Sequence, residues 1–490
     1  MSNVQMFQAS GPLIRQTRLL IDGEFVDAAS GRTFVSINPA NETCITELAE
    51  ADAVDVDRAV HAARRAFDQG PWSTMDPRER GRLIHRLADL VDAHAEELAR
   101  LESLDGGKPI ADTAGWEIPA VAETLRYYAG WADKIHGQTL STRTAYFTHT
   151  RREPMGVCAQ IIPWNFPLCM LAWKWAPALA CGCTLVLKPA EQTPLTALRM
   201  GELAVEAGFP DGVINILPGD GPTTGAALVR HPLVDKVAFT GEVRTAQTII
   251  QEAAPTMKRV TIEAGGKSPN IVFADADIDA AVDGACNAIF LNQGQNCCAG
   301  SRLLLQREIY EPFIEKLADK ARRRRLGDPL DPATEHGPQV DREQFDKVLG
   351  YIKLGIEQGA RLVVGGERAL NPGYFVEPTI FADVRDEMAI CTDEIFGPVV
   401  CAQPFDTRDE VIARANATRF GLAAAVWTRD LDQAHAVAHG VRAGTVWINC
   451  YNVIDCAAPF GGFKASGIGR ELGEAALSNY TEIKTITLQR

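Results

Sequence analysis

From about residue 156 to residue 254 the chain alternates short apolar runs with segments of helical period, and this alternation restricts the fold more than any other feature. Residues 157–162 read as a strand and 168–180 as a helix; 184–188 and 196–207 repeat the pair. Residues 213–217, 223–230, 236–239 and 244–254 continue it with short links. Neighbouring parallel strands need a long crossover, which a helix supplies, so the pattern predicts a parallel sheet covered on both faces. Such sheets bind ligands outside the carboxyl ends of their strands. The loops after Ile162, Lys188, Leu217 and Phe239 are therefore where a ligand is expected. A second α/β block runs from about Gly265 to residue 474, with helices predicted over 278–291, 313–325 and 342–358 and a strand over 361–364.

The flanking segments are less regular. Residues 19–37 read as a hairpin turning at Asp22-Gly23. A helix follows with Asp55 as its N-cap and Val56, Val60, Ala63 and Phe67 on one face. Another starts at Asp76-Pro77, with Glu79 in the capping-box position and a stripe through Leu83, Leu87, Leu90, His94, Leu98 and Leu101. Residues 140–152 and 481–488 read as extended, and neither fits a packed core alone. Pairing of these strands, across subunits included, would use them.

Composition narrows the function. The 490 residues suffice for two or three domains. A net charge of −14 argues against a nucleic-acid binder, which usually presents a basic face. The one basic run, Arg322 to Arg325, reads as cations at a helix C-terminus. The first residues, with Gln5, Gln8, Ser10 and Arg15, lack the apolar core of a signal peptide. The apolar stretch 168–181 is short and interrupted by Lys174, so it reads as a buried helix, not a membrane span. The 12 cysteines are scattered from Cys44 to Cys456 without zinc-ligand spacing. Free thiols in a reducing compartment follow: a cytoplasmic protein with no metal, and with neither nucleic acid nor membrane as partner.

The usual dinucleotide fingerprint is absent. Pro163-Trp164-Asn165-Phe166-Pro167 stands after the first strand, and Gly219-Asp220-Gly221 is a lone glycine-rich turn. The residues alone thus support a ligand site without naming the ligand. The most telling stretch is 292–302, Asn-Gln-Gly-Gln-Asn-Cys-Cys-Ala-Gly-Ser-Arg. A cysteine in an apolar chain is usually a small core residue. A thiol in a glycine-containing loop after a helix can instead be exposed and activated, as a nucleophile must be.

Together with Pro163–Pro167, Lys188-Pro189-Ala190-Glu191, Phe239-Thr240-Gly241, Glu263-Ala264-Gly265-Gly266-Lys267, Glu394-Ile395-Phe396-Gly397-Pro398 and Pro459-Phe460-Gly461-Gly462, this stretch resembles the aldehyde dehydrogenase superfamily. The likeness is closest to the branch of the class 1 and class 2 enzymes and their bacterial relatives, and runs from about residue 19 to the C-terminus. It implies an α/β fold with two parallel-sheet Rossmann-like domains and a small β oligomerisation element. On this reading residues 1–135 and 153–264 bind NAD, 265–474 form the catalytic domain, and 136–152 with 475–490 join subunits into a homodimer or homotetramer. The implied reaction is NAD-dependent oxidation of an aldehyde to the carboxylic acid. Cys297, two residues after Gln295, is the implied nucleophile, which attacks to give a thiohemiacetal and then a thioester. Asn165 and the Cys297 N–H are the oxyanion donors, and Glu263 is the base that activates water.

For the cofactor, the resemblance places Lys188 and Glu191 at the adenosine ribose, Glu394 at the nicotinamide ribose and Phe396 beside the nicotinamide. Ile161, Ile162, Pro163, Trp164, Gly221, Gly225, Phe239, Thr240, Gly241, Glu242 and Gly265 complete the implied contacts. A carboxylate at Glu191 accepts from ribose hydroxyls and repels a 2′-phosphate, which favours NAD over NADP. Phe166, Met170, Trp173, Ile454 and Phe460 would line an apolar funnel suited to medium-chain aliphatic or aromatic aldehydes, and Asp455 at its mouth would suit a cationic one. Two positions depart from the family pattern. Glu242 stands where a small residue usually precedes the helix at the pyrophosphate, and either turns outward or weakens phosphate binding. Ala264 replaces the usual Leu after Glu263. Two other readings are a CoA-acylating dehydrogenase, against which Glu263 argues, and a catalytically silent ligand-binding protein on the same fold.

Overall fold

A computed structural model describes residues 14–490; the expectation about the first residues, Gln5 to Ser10, lies outside them. The predicted alternation forms the centre of an eight-stranded sheet. Its order is Gly467–Ile468, Arg259–Ala264, Lys236–Gly241, Val157–Ile161, Thr184–Lys188, Ile214–Ile216, Leu19–Ile21, Glu24–Val26. The five central strands are parallel. The first of them in sequence, Val157–Ile161, lies between Lys236–Gly241 and Thr184–Lys188, so the strand order reverses there and a crevice opens at the carboxyl ends. The helix Pro167–Cys181 is buried at every residue, Lys174 included, as expected of an interior crossover. Among the described residues no helix is long and apolar enough to cross a membrane.

The second sheet has seven strands, Arg361–Val364, Thr379–Ala382, Val399–Phe405, Arg302–Gln306, Pro269–Val272, Ala423–Trp427 and Thr445–Ile448. All pairs but the first are parallel. Tyr146–Pro154 pairs antiparallel with Thr481–Gln489 along its whole length and with Thr139–Leu140 on its other side. The two segments read as extended thus meet within one chain.

Three local expectations change. The hairpin at Asp22-Gly23 is real, both residues having positive φ, but it ends at Val26. Thr33–Asn38 pairs onward with Thr43–Ala49, because alternation alone does not say which neighbour a strand takes. The first helix is capped by Asp52, whose carboxylate accepts from the Val54 N–H at 2.8 Å. Asp55 lies one turn inside and accepts from the Asp52 and Ala29 N–H groups. The long stripe from Leu83 to Leu101 belongs to two helices, Pro77–Ala93 and Ala95–Gly106, broken at His94 (φ −112°). The break leaves Leu87, Leu98 and Leu101 buried, so the pattern survives it.

A buried polar group props the N-terminus of Pro167–Cys181. Lys108 donates to Glu102 at 3.0 Å and to Glu117, and all three are sealed from solvent. Glu102 also accepts from the Leu168 N–H at 3.3 Å and from Thr196 Oγ1 at 2.8 Å. Burial alone would discharge Lys108, but the two carboxylates outweigh it and hold the ammonium charged. Lys108→Met strands those carboxylates in the interior and is expected to cost about 3–5 kcal/mol of stability, measured by denaturant unfolding. A loss below about 1 kcal/mol would mean that the group is not holding this helix.

Candidate functional site

The site forms where loops of the two large sheets meet. The helix Ile278–Phe290 is followed by Asn292 (φ 47°), Gln293 (φ 55°) and Gly294 (φ 73°), which reverse the chain toward Cys297. A Cβ on Gly294 would lie 2.1 Å from the Gly397 carbonyl, so only glycine lets this loop press on the Glu394–Pro398 segment. Asn292 Nδ2 donates to the Asn165 carbonyl at 2.9 Å and to the Gln295 carbonyl at 3.2 Å. Asn165 Nδ2 donates back to the Gln295 carbonyl at 2.9 Å. Gln295 Oε1 accepts from the Val340 N–H at 2.9 Å. The Asn165 amide is thereby fixed against the loop that carries the thiols.

The two adjacent thiols are not equivalent. Cys297 is partly exposed, whereas Cys298 is 1% exposed. Cys298 Sγ donates to Asn296 Oδ1 at 3.2 Å, and its carbonyl accepts from Tyr451 Oη at 2.7 Å. Geometry thus makes Cys297 the reachable sulfur. The Cys298 thiol beside it, burial, and the Glu394 and Glu263 carboxylates all push the Cys297 thiol up.

Glu263 lies near the end of Arg259–Ala264, opposite Gly467, and is 6% exposed. Its Oε2 has no hydrogen-bond partner, and a Cβ on Gly461 would come 2.6 Å from its Oε1. The Pro459–Gly462 motif therefore packs directly over the carboxyl group. Burial, then Glu471, raise Glu263 well above the carboxylate range, while Lys174 and Arg470 pull it down. Lys174 is fully buried and donates to Thr240 Oγ1 at 2.6 Å and to Glu471. Sequence reading treated Lys174 only as an interruption and passed over Glu471. The available signal was one charge in an otherwise apolar buried helix.

The loops expected to hold a cofactor converge on the crevice. Trp164 meets Phe396 edge to face, with ring centres 5.2 Å apart. The buried Lys188 ammonium contacts the half-exposed Glu191 carboxylate at 2.8 Å, and the Lys188 carbonyl accepts from the Ile162 N–H at 3.2 Å. Ile161 packs on the apolar core below, and Pro163 stays partly exposed. Gly221–Gly225 is a wide helical turn opened by Asp220, whose carboxylate accepts from the Thr223 N–H at 2.7 Å. A Cβ on Gly221 would meet nothing within 4 Å, which leaves open space over that turn. A Cβ on Gly265 would lie 1.8 Å from Glu394 Oε2, and Glu394 accepts from the Gly266 N–H at 3.0 Å. Burial pushes Glu394 up to about 7. Phe239 sits in the apolar core with its ring 2.5 Å from where a Gly241 Cβ would be, so a side chain at 241 would clash with it. Glu242 is exposed and makes no capping hydrogen bond to the helix Val243–Ala253. Its carboxylate also acts on Glu394, raising it, so the charge is felt on the crevice side.

Phe166, Met170 and Trp173 line one face at the start of Pro167–Cys181, each with a few per cent exposure. Phe460 packs edge-on to Trp173 at 5.3 Å. Trp116, which sequence reading missed, lies 5.7 Å from Phe166. Ile454 stands apart on an exposed loop, 42% accessible. Asp455 accepts from the Ala457 N–H at 2.8 Å, so a local turn accounts for it. The surface group Asp57, His61 and His231 could hold a metal by spacing. His231 Nδ1, however, accepts from the Leu233 N–H at 3.2 Å, which leaves the proton on Nε2 facing Asp57.

Comparison with known proteins places this arrangement. The aldehyde dehydrogenase family model matches residues 25–486. Retinal dehydrogenase 2 of Mus musculus is 53% identical over 494 residues, spanning 100% of this chain and 95% of its own. The mitochondrial aldehyde dehydrogenase of Sus scrofa is 54% identical over 481 residues, 98% of this chain and 92% of its own. The NAD+ complex of an aldehyde dehydrogenase from Bacillus cereus superposes with a TM-score of 0.96 at 52% identity, covering 97% of both chains. With a family match spanning nearly all its length and relatives above half identity, this chain belongs to the aldehyde dehydrogenase family.

Proposed function

We propose that this protein oxidises a medium-chain aliphatic or aromatic aldehyde to its carboxylic acid in the cytoplasm, with NAD as hydride acceptor and Cys297 as nucleophile. The observation that carries this reading is the partly exposed Cys297 beside a fixed Asn165 amide, with Cys298 sealed. The crevice residues fit a dinucleotide. Open space over Gly221, the Lys188–Glu191 pair at a strand end and the Glu394 carboxyl across Gly265 supply room and hydroxyl acceptors. When bound, NAD supplies the hydride acceptor and a positive charge near the thiol.

Cys297 attacks the aldehyde carbon as the thiolate, because the thiol is far less nucleophilic. The carbonyl oxygen gains negative charge and needs donors already in place. Asn165 keeps one amide hydrogen on the Gln295 carbonyl and offers the other, joined by the Cys297 N–H. Loss of hydride leaves a thioester on Cys297. Glu263 takes a proton from water, which attacks the thioester and frees the acid. This base works only when ionised, yet its surroundings raise it, so Lys174 matters as the buried charge that pulls it down. The exposed apolar residues Ile483 and Leu488 on the strand Thr481–Gln489 support a homodimer or homotetramer joined through that sheet. Water activation at Glu263 favours this reading over transfer to CoA.

Cys297→Ala is expected to lower aldehyde oxidation by at least about a thousandfold, and Cys298→Ala by less than about tenfold. Steady-state NADH formation measures both, and equal losses would refute the assignment of the sulfur. Glu263 must lose its proton to act, and its raised value means that turnover climbs with pH above the ordinary carboxylate range. Glu263→Gln should remove that limb and slow turnover by about 10²–10⁴-fold while sparing the first NADH burst. Lys174→Met should move the limb to higher pH. A limb that stays put in Lys174→Met would show that this ammonium does not set the base.

A further inference from the structure

The arginine run takes no part in the site above. Its helix, Tyr310–Arg323, ends within the run, so the helix dipole accounts for Arg322 and Arg323 but not for Arg324 beyond it. Arg323 and Arg324 line an open cavity of about 700 Å³. The helix Ile278–Phe290, the loop around Pro332 to Glu335, and the turn at Pro109 to Asp112 close its sides.

The charges in this cavity are unevenly paired. Lys320 is bound by Asp283, and Arg325 lies 4.0 Å from Glu335. Arg323 and Arg324 have no carboxylate partner among the described residues. Arg324 is nevertheless held in place. Its Nη2 donates to the Glu335 carbonyl at 2.7 Å, Nη1 reaches Cys286 Sγ at 3.6 Å, and the group lies 5.7 Å from the centre of the Phe290 ring. Its Nε is buried without an acceptor. Asp112 also faces the cavity, outside ion-pair distance of either arginine. Arg324 interacts with Asp112 only at longer range, so two arginines in one cavity of an acidic chain lack a direct carboxylate contact, and the planar guanidinium fork matches an oxyanion's two oxygens.

We propose that this cavity binds a small organic oxyanion, a phosphate ester or a carboxylate, on Arg324 and Arg323, with Asp112 accepting from a hydroxyl or ammonium of the same ligand. The site adjoins the thiol loop. Asn287 in its wall accepts through its carbonyl from Asn452 Nδ2 at 3.2 Å, and Asn452 Oδ1 accepts from Cys298 Sγ at 3.5 Å.

The intact protein, saturated with NAD to occupy the crevice, is titrated calorimetrically with inorganic phosphate and, in a second series, with citrate. Saturable binding of one anion per chain by either supports the site, and the one that binds identifies the oxyanion chemistry. Arg324→Gln is expected to weaken binding at least about tenfold, the loss of a charge-assisted contact. Because Arg324 packs on Phe290, the exposed Arg323→Ala serves as a second variant, expected to lose about threefold or more. NADH formation from a neutral aldehyde should stay within about twofold in both. No saturable binding of either anion, or binding unchanged in both variants, overturns the proposal.

Discussion

The left-handed reversal at Asn292, Gln293 and Gly294 is the constraint that holds the site together. For non-glycine residues this conformation costs about 1–2 kcal/mol each. The two hydrogen bonds of the Asn292 amide, each contributing about 1 kcal/mol, offset much of that cost. In return, one turn sets three relations at once. Gly294 lands on Gly397, which positions the Glu394–Phe396 segment; Gln295 receives the Asn165 amide; and Cys297 emerges toward solvent while Cys298 turns inward. The proposed nucleophile, oxyanion donor and ribose carboxyl group share a common origin in this loop.

Around that loop the protein keeps its reactive groups in poorly solvated surroundings. Burial raises Glu263 and Glu394, and the Cys297 thiol is raised by Cys298, by burial and by both carboxylates. Burial of this kind favours the uncharged form of each group, and a nearby cation favours the charged one. Lys174 lies fully buried in this interior, anchored by Thr240 and Glu471. The arrangement separates the two steps of the proposed chemistry. In that proposal a bound nicotinamide would favour the thiolate, and Lys174 would favour the ionised form of Glu263.

Much of the fold was legible because period and spacing are local properties. The strand–helix alternation gave the central sheet, and the burial of 168–181 followed from its apolar run despite Lys174. What failed was non-local or a matter of one turn. Residues 33–38 pair onward with 43–49, Asp55 lies inside a helix that Asp52 caps, and His94 divides a stripe whose period carries across the break. The site was legible mainly through its motifs. Nothing in adjacent cysteines says which one is sealed; that needs the Asn296 and Tyr451 contacts. Lys174, Glu471 and Trp116 stayed hidden because their meaning lies in partners far away in sequence.

Everything proposed for this site requires that Cys297 form the covalent bond to substrate. Rapid acid quench of the protein during turnover with NAD and an aldehyde, followed by peptide mass spectrometry, locates that bond directly. An acyl group is expected on Cys297 and none on Cys298. An acyl group on Cys298, or turnover with no covalent adduct on either sulfur, would contradict that assignment.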